Sequence, residues 1–317
     1  MVISLAPLQG YTEFPLRNAL HKYIGGIDTY YTPYLKFEND GSLRQKFVRD
    51  ILPENNQNIN VIPQILVNNS IDFFKFHDLI KNNGYTEINL NFGCPYPMVA
   101  NKQLGSGILP FPETIDRLLH EIFEKTQLKV SIKFRSGYQS PEEIVPIISI
   151  FNNYPIHELI YHPRIGKQLY KGNADIETFK TISTLSNQKL AYNGDINTIE
   201  NYQVISKNIS SNNHFMIGRG LLMNPFLAYE IKNGILELGA KKEKFFQLHS
   251  DIFEHYSNAL SGDAHVLNKL IHLWEYFSHL FENQHKVYKQ IKKCKKLSNY
   301  KFLIKEISNN ESLASSK

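Results

Sequence analysis

A thiol, a lysine, a histidine and an arginine stand in this sequence where short apolar runs end. Cys94 lies in the tight turn Gly93-Cys94-Pro95, directly after Asn89-Leu90-Asn91-Phe92. A free cysteine is most often a small buried hydrophobe, but a thiol held in a turn at the end of a strand can give a proton to a substrate carbon. Lys133 sits between Ile132 and Phe134, and a lysine pointing into a protein interior needs an anionic partner or a lowered pKa. His162 closes another apolar run and reads either as a satisfied core histidine or as a working imidazole. Gly218-Arg219-Gly220 suits a phosphate, because glycines let backbone N–H groups approach oxygen and Arg219 adds a charged donor. Gln64, Arg135, Arg164 and Asn193-Gly194-Asp195 occupy comparable positions in or after their own apolar runs.

Such residues need a frame that brings strand ends together. Candidate strands are Val2–Ala6, Ile27–Thr32, Val61–Val67, Glu87–Asn91, Lys129–Phe134, Glu158–His162, Lys189–Asn193 and Phe215–Gly218. Amphipathic stretches such as Ser70–Asn83, Pro112–Thr126 and Pro141–Asn153 lie between them, with Ser70, Pro112 and Pro141 at helix-starting positions. Eight strands alternating with helices predict an α/β fold of the (β/α)8 TIM-barrel type, whose active sites gather at the C-terminal strand ends. A doubly wound open sheet would alternate in the same way, but usually has fewer strands and often an early G-x-G-x-x-G turn, which this chain lacks. The polar Phe37–Asn60 segment is expected to form an irregular loop over the barrel mouth. Lys232–Lys242 reads as a linker. Beyond it Leu267, Leu270, Ile271, Trp274, Phe277 and Phe281 recur at helical spacing, predicting a small helical bundle. The expected domains are residues 1–235 and 241–317, with Ser308–Lys317 fraying.

The 317 residues exceed the roughly 240 of one barrel, leaving room for that second domain. With 42% hydrophobic and 21% charged residues, the chain reads as globular rather than disordered. Cys94 and Cys294 are too few for a disulfide framework or a structural zinc site, which leaves no metal expected and favours a reducing compartment. Met1-Val2-Ile3-Ser4-Leu5 has no basic leader and reads as a first strand. No run approaches the roughly 20 apolar residues that span a bilayer. The expectation is a cytoplasmic protein without membrane contact, and a monomer. Residues 241–317 carry 13 of the 35 basic and 8 of the 30 acidic side chains, so the excess charge of +5 lies there. On one helix Lys286, Lys289, Lys292, Lys293 and Lys296 would share an arc of about 120°, a face suited to RNA phosphates or simply to water.

Taken together the motifs resemble the tRNA-dihydrouridine synthases. The matching pieces are Leu5-Ala6-Pro7-Leu8-Gln9-Gly10 with Arg17, Gln64, Asn89-Leu90-Asn91-Phe92-Gly93-Cys94-Pro95, Val130-Ser131-Ile132-Lys133-Phe134-Arg135, His162-Pro163-Arg164 with Tyr170 and Gly172, Asn193-Gly194-Asp195-Ile196, and Met216-Ile217-Gly218-Arg219-Gly220. The resemblance covers Ile3–Pro225 and implies an FMN-binding barrel that reduces uridine to dihydrouridine in tRNA, with NADPH as the reductant. It implies that Pro7, Leu8, Gln9, Gln64, Lys133, His162, Asn193, Gly194, Asp195, Gly218 and Arg219 hold FMN. Cys94 corresponds to the proton donor, Lys133 and His162 join it as catalytic residues beside the flavin ring, and Asn91, Arg164 and Tyr170 lie where the target uracil is held. Lys36, Lys171 and Lys269 are further candidates for contact with tRNA. Two other readings remain open: an FMN-dependent barrel reductase of a free small molecule, and a non-catalytic RNA-binding protein with a vestigial flavin site.

Overall fold

The computed structural model describes residues 1–210 and 212–314. Its strands are β1 (Val2–Leu5), β2 (Thr29–Tyr31), β3 in two halves (Val61–Ile62 and Gln64–Ile65), β4 (Glu87–Phe92), β5 (Lys129–Gly137), β6 (Glu158–Ile165), β7 (Leu190–Asn193) and β8 (His214–Ile217). All pairings are parallel. β1 pairs with β2 and β8, and the halves of β3 pair with β2 and β4, which closes the ring. The interruption of β3 falls at Pro63, whose nitrogen has no hydrogen to give to a ladder. The expected eight-stranded α/β barrel is therefore the fold.

Side-chain alternation explains why the strands hold both a core and a site. On β4 and β5, Ile88, Leu90, Phe92, Val130, Ile132 and Phe134 join the large apolar core. Their alternates Asn89, Asn91, Ser131, Lys133 and Arg135 fall on the opposite face of the sheet. A separate apolar cluster of Ala6, Tyr31, Ile62, Ile160, Ala191 and Met216 shares that interior. Capped helices then return the chain to the next strand: Asn69 caps Ser70–Asn82, Asp175 caps Ile176–Leu185 and Thr198 caps Ile199–Asn208.

Three expectations need correction. The Phe37–Asn60 segment carries a helix at Gln45–Ile51, and none of its residues lines the cavity at the barrel mouth. It is pinned to the flank by the buried pair Arg17–Asp50 at 3.0 Å, with Arg17 Nη2 also donating to Asn56 Oδ1 at 2.7 Å. The linker expected at Lys232–Lys242 shrinks to residues 234–237. Helix Leu227–Asn233 ends at Gly234, and helix Leu238–Ala259 begins four residues later, with Lys241 buried and paired to buried Glu230. The single lysine-bearing helix is broken as well. Helix Gln284–Lys292 stops, Lys296 precedes a new helix Leu297–Asn310, and Lys286 pairs with Glu311 at 2.5 Å. The break lets Tyr300 turn inward, where its hydroxyl accepts from Trp274 Nε1 at 2.8 Å and lies 2.6 Å from His249 Nε2.

The helical tail packs on the barrel through Leu238–Ala259 and Asp263–Phe277, whose Phe245, Leu248, Trp274 and Phe277 are buried. Helix Leu297–Asn310 is continuous through Ser308, and Leu313 bridges to Phe281, so the expected fraying does not begin at Ser308. The rest of that expectation, residues 315–317, lies outside the described residues. No helix among the described residues is long and apolar enough to cross a membrane.

Candidate active site

The C-terminal strand ends surround an open cavity. Its lining charge is lopsided: Lys133, Arg135, Arg164 and Arg219 face one carboxylate, Asp195. Ala6, Met216 and Ile217 supply apolar surface from the first and last strands.

Cys94 is fixed from two sides. Asn91 Oδ1 accepts from the Gly93 N–H at 3.0 Å and from the Cys94 N–H at 2.8 Å. The Cys94 carbonyl accepts from the Ser106 N–H at 2.9 Å and from the Ser106 hydroxyl at 3.0 Å. Gly105 permits that clasp, since its φ is +58° and a Cβ there would lie 2.6 Å from the Cys94 carbonyl oxygen. The thiol faces the cavity but is largely buried, with Sγ 3.9 Å from Tyr34 Oη. Burial pushes it above its ordinary range, so it holds its proton at neutral pH.

Cations dominate the adjoining wall. Burial, then Arg135, pulls Lys133 down to about 7, and no carboxylate offsets this. Arg135 donates to the carbonyls of Gly93, Ile165 and Leu169 at 3.0, 3.0 and 2.8 Å, tying the Cys94 turn to the loop after β6. Arg164 directs Nη2 to Gly172 O and Asp195 Oδ2, both at 2.6 Å, and Nη1 to His162 Nε2 at 3.1 Å. Burial, with Arg135, Lys133 and Arg164 nearby, holds the His162 imidazole far below its usual range. A guanidinium only donates, so neutral His162 accepts at Nε2 and keeps its hydrogen on Nδ1. Arg164 Nε is buried with no partner. Arg219 lies over the Tyr170 ring at 4.4 Å, with Nη2 3.5 Å from Asp195 Oδ1.

Of the residues singled out from the sequence, Pro7, Leu8, Gln9, Asn91, Cys94, Lys133, His162, Arg164, Tyr170, Asn193, Gly194, Asp195, Gly218 and Arg219 all line this cavity. Four others do not. Gln64 is fully buried, donating to Asn89 Oδ1 and accepting from Asn91 Nδ2, both at 2.7 Å. Lys269 is turned to Glu13 at 2.7 Å and to the Gly10 carbonyl at 2.8 Å. Lys36 is half-buried and Lys171 exposed, outside the lining. Sequence reasoning missed Tyr11, Tyr34, Tyr96 and Tyr276, which also line the cavity. Tyr276 comes from the helical tail, and its only sequence signal is an aromatic residue beside the buried Trp274 and Phe277 rather than among them.

The cavity fits an anionic ligand with an apolar body. A desolvated lysine and a buried, unpartnered Arg164 Nε await acceptors. At Gly218 an added Cβ would crowd Ala6 Cβ at 3.3 Å, so the glycine keeps that wall open. No group of three or more His, Cys, Asp or Glu among the described residues is placed to hold a metal ion.

Comparison with known proteins gives concordant results. A family model described as dihydrouridine synthase (Dus) matches residues 4–312. A probable tRNA-dihydrouridine synthase of Helicobacter pylori (strain ATCC 700392 / 26695) is 27% identical over 277 residues, covering 83% of this chain and 79% of that protein. The tRNA-dihydrouridine synthase B of Pasteurella multocida is 24% identical over 74% of this chain and 70% of its own length. The tRNA-dihydrouridine(16) synthase of Pseudomonas putida is 26% identical over 73% of each. Among solved structures, histamine dehydrogenase from Rhizobium sp. 4-9 superposes with a TM-score of 0.54 at 11% identity, covering 78% of this chain and 48% of that one, a likeness of fold.

Proposed function

Because this chain belongs to the dihydrouridine synthase family, we propose that it reduces the C5=C6 bond of uridine in tRNA. The observation that carries the reading is a buried, protonated thiol on the wall of a cation-rich cavity at the C-terminal end of the barrel. A conjugated pyrimidine needs one hydride and one proton to become dihydropyrimidine. Cys94 is suited to give the proton to C5, after which its thiolate regains one from solvent. Lys133, protonated, offsets negative charge that develops on the substrate oxygen, and neutral His162 offers its Nδ1–H as a donor. The target base leaves its stack to reach such a recess.

The hydride donor we propose is reduced FMN, which when bound supplies hydride to C6; NADPH restores it. Pro7, Leu8 and Gln9 would flank its ring, and Lys133 and His162 would lie beside it. Asn193, Gly194, Asp195, Gly218 and Arg219 would hold its phosphate end, where backbone N–H groups and a guanidinium meet. Gln64 supports this arrangement from behind, through Asn91. Asn91, Arg164 and Tyr170 border the space left for the uracil, with Arg164 also anchoring His162. Lys36 and Lys171 are the remaining candidates for phosphate contact, and a cytoplasmic monomer acting on tRNA is the working picture.

Cys94→Ala tests the chemistry. It should keep its flavin spectrum and lose about 10²–10⁴-fold in turnover on tRNA; turnover equal to the parent would remove the proton-donor role. Arg219→Ala should instead weaken FMN binding about 10–100-fold, the loss of one charge-assisted contact, and an unchanged Kd in a fluorescence titration refutes the phosphate assignment.

A further inference from the structure

One buried polar chain runs from the base of the barrel up to the residues used by the chemistry above. It starts at the base of the barrel, where Ser131 Oγ donates to Glu87 Oε1 at 2.7 Å. Asn89 Nδ2 donates to Ser131 Oγ at 2.9 Å, and Gln64 Nε2 donates to Asn89 Oδ1 at 2.7 Å. Asn91 Nδ2 donates to Gln64 Oε1 at 2.7 Å, and the Gly93 and Cys94 N–H groups donate to Asn91 Oδ1. Every donor points toward Glu87. Gln64, Asn89 and Ser131 are fully buried, so water offers no alternative partners.

We propose that Glu87, Ser131, Asn89 and Gln64 are positioning residues for Cys94, acting by fixing which way the Asn91 amide faces and so holding the Gly93–Cys94 turn. The inference rests on the proposed function only for the importance of that thiol.

Polarity along the chain decides the arrangement. An Asn or Gln side chain can rotate by half a turn and exchange its oxygen and nitrogen, so each of the three amides alone is ambiguous. The two ends are not. Backbone N–H groups only donate, and the Glu87 carboxyl, once ionised, can only accept from Ser131. With Glu87 accepting, Ser131 must donate to it and accept from Asn89. Asn89 then offers oxygen to Gln64, Gln64 offers oxygen to Asn91, and Asn91 is left with oxygen toward the turn. That is the orientation the Gly93 and Cys94 N–H groups require, so both ends specify one arrangement. If a middle link is lost, only the two backbone N–H groups still hold the Asn91 amide in that orientation, and the turn opens more readily. Glu87 lies among Ser131, Tyr31, Glu158, Lys129, His214 and His157; Ser131 also meets the Tyr31 hydroxyl, and His214 meets Ser4 and Glu158.

The test reads Cys94 directly, at the far end of the chain, roughly 20 Å from Glu87 along the strand. Full-length protein carrying Cys294→Ser has one thiol, and its alkylation by iodoacetamide is followed across pH 6–9. Ser131→Ala and Glu87→Met should raise the rate about fivefold or more, because local opening exposes a buried sulfur. Glu87→Gln, which keeps an acceptor oxygen in place, should stay within about twofold of the parent and so act as the conservative rescue. A packing loss confined to the barrel base would leave the thiol unaffected; rates unchanged in both Ser131→Ala and Glu87→Met overturn the proposal. If neither variant folds, hydrogen exchange in the parent decides. The Gly93 and Cys94 amides should exchange as slowly as those of β4, and rapid exchange there rejects the chain. The two readings fail separately. A fully active Cys94→Ala removes the proton donor while the alkylation series still judges the chain, and an inactive Cys94→Ala with unmoved alkylation removes the chain alone.

Discussion

At Lys133 the barrel holds a cation where water cannot reach it well, and its pKa of about 7 is the result. Protonation of that group and binding of an anion favour each other. FMN affinity should therefore fall as pH rises above about 7, and Lys133→Met should flatten the profile while lowering affinity at pH 6, both measured by flavin fluorescence. Gly105 makes a second residue-level prediction. An alanine there meets the Cys94 carbonyl and must adopt a positive φ, so Gly105→Ala should cost about 1–3 kcal/mol in urea unfolding and slow turnover more than it weakens FMN binding. A variant with parent kcat and parent stability contradicts the clasp. Cys94, Lys133 and Arg219 are legible in the sequence because each places one reactive group in or just after an apolar run. Gln64 is legible as important but not in its role, because its partners Asn89 and Asn91 are known only once β3 and β4 are paired.

Among the elements, the seam between the loop after β1 and helix Asp263–Phe277 matters most. Tyr11 stacks on His272 at 3.9 Å and donates to Glu275 Oε2 at 2.8 Å, while Lys269 grips Glu13 and Gly10. The same loop carries Pro7, Leu8 and Gln9 into the cavity. Lys269→Met should therefore weaken FMN binding although Lys269 lies outside the lining; an unchanged Kd with reduced tRNA affinity would instead favour a direct RNA role. The strands are readable from β-branched and apolar runs, and their order follows from parallel winding. The inner polar face is visible too, as polar residues at every second position from Glu87 to Asn91 and from Ser131 to Arg135. The break in the lysine-bearing helix is not readable, because spacing alone does not reveal where Tyr300 must turn back to reach His249 and Trp274. Lys232–Lys242 misleads for a related reason: Lys241 looks like surface charge until Glu230 is beside it.

Across the whole molecule, Glu87 links stability to pH. Burial, reinforced by Glu158, raises its pKa from 4.5 to about 7. Between those values the folded state keeps a proton that the unfolded chain has released. Stability therefore falls as pH rises through the window, at a slope approaching about 1.4 kcal/mol per pH unit, and levels off above it. Glu87→Gln should remove that fall in chemical denaturation curves at pH 5 and 8; a parent-like slope would place the titration elsewhere. The tail adds to stability through the buried Lys241–Glu230 pair, and Lys241→Met should cost about 3–5 kcal/mol by removing the cation beside a buried carboxylate. Truncation near Lys241 is consequently not a clean way to separate catalysis from RNA binding. Tyr276 makes the point more generally: a helix of the tail lines the cavity itself. A chimaera that grafts a relative's tail onto this barrel must carry Tyr11 and Glu13 across with it, or the graft will arrive with one wall of its chamber out of register.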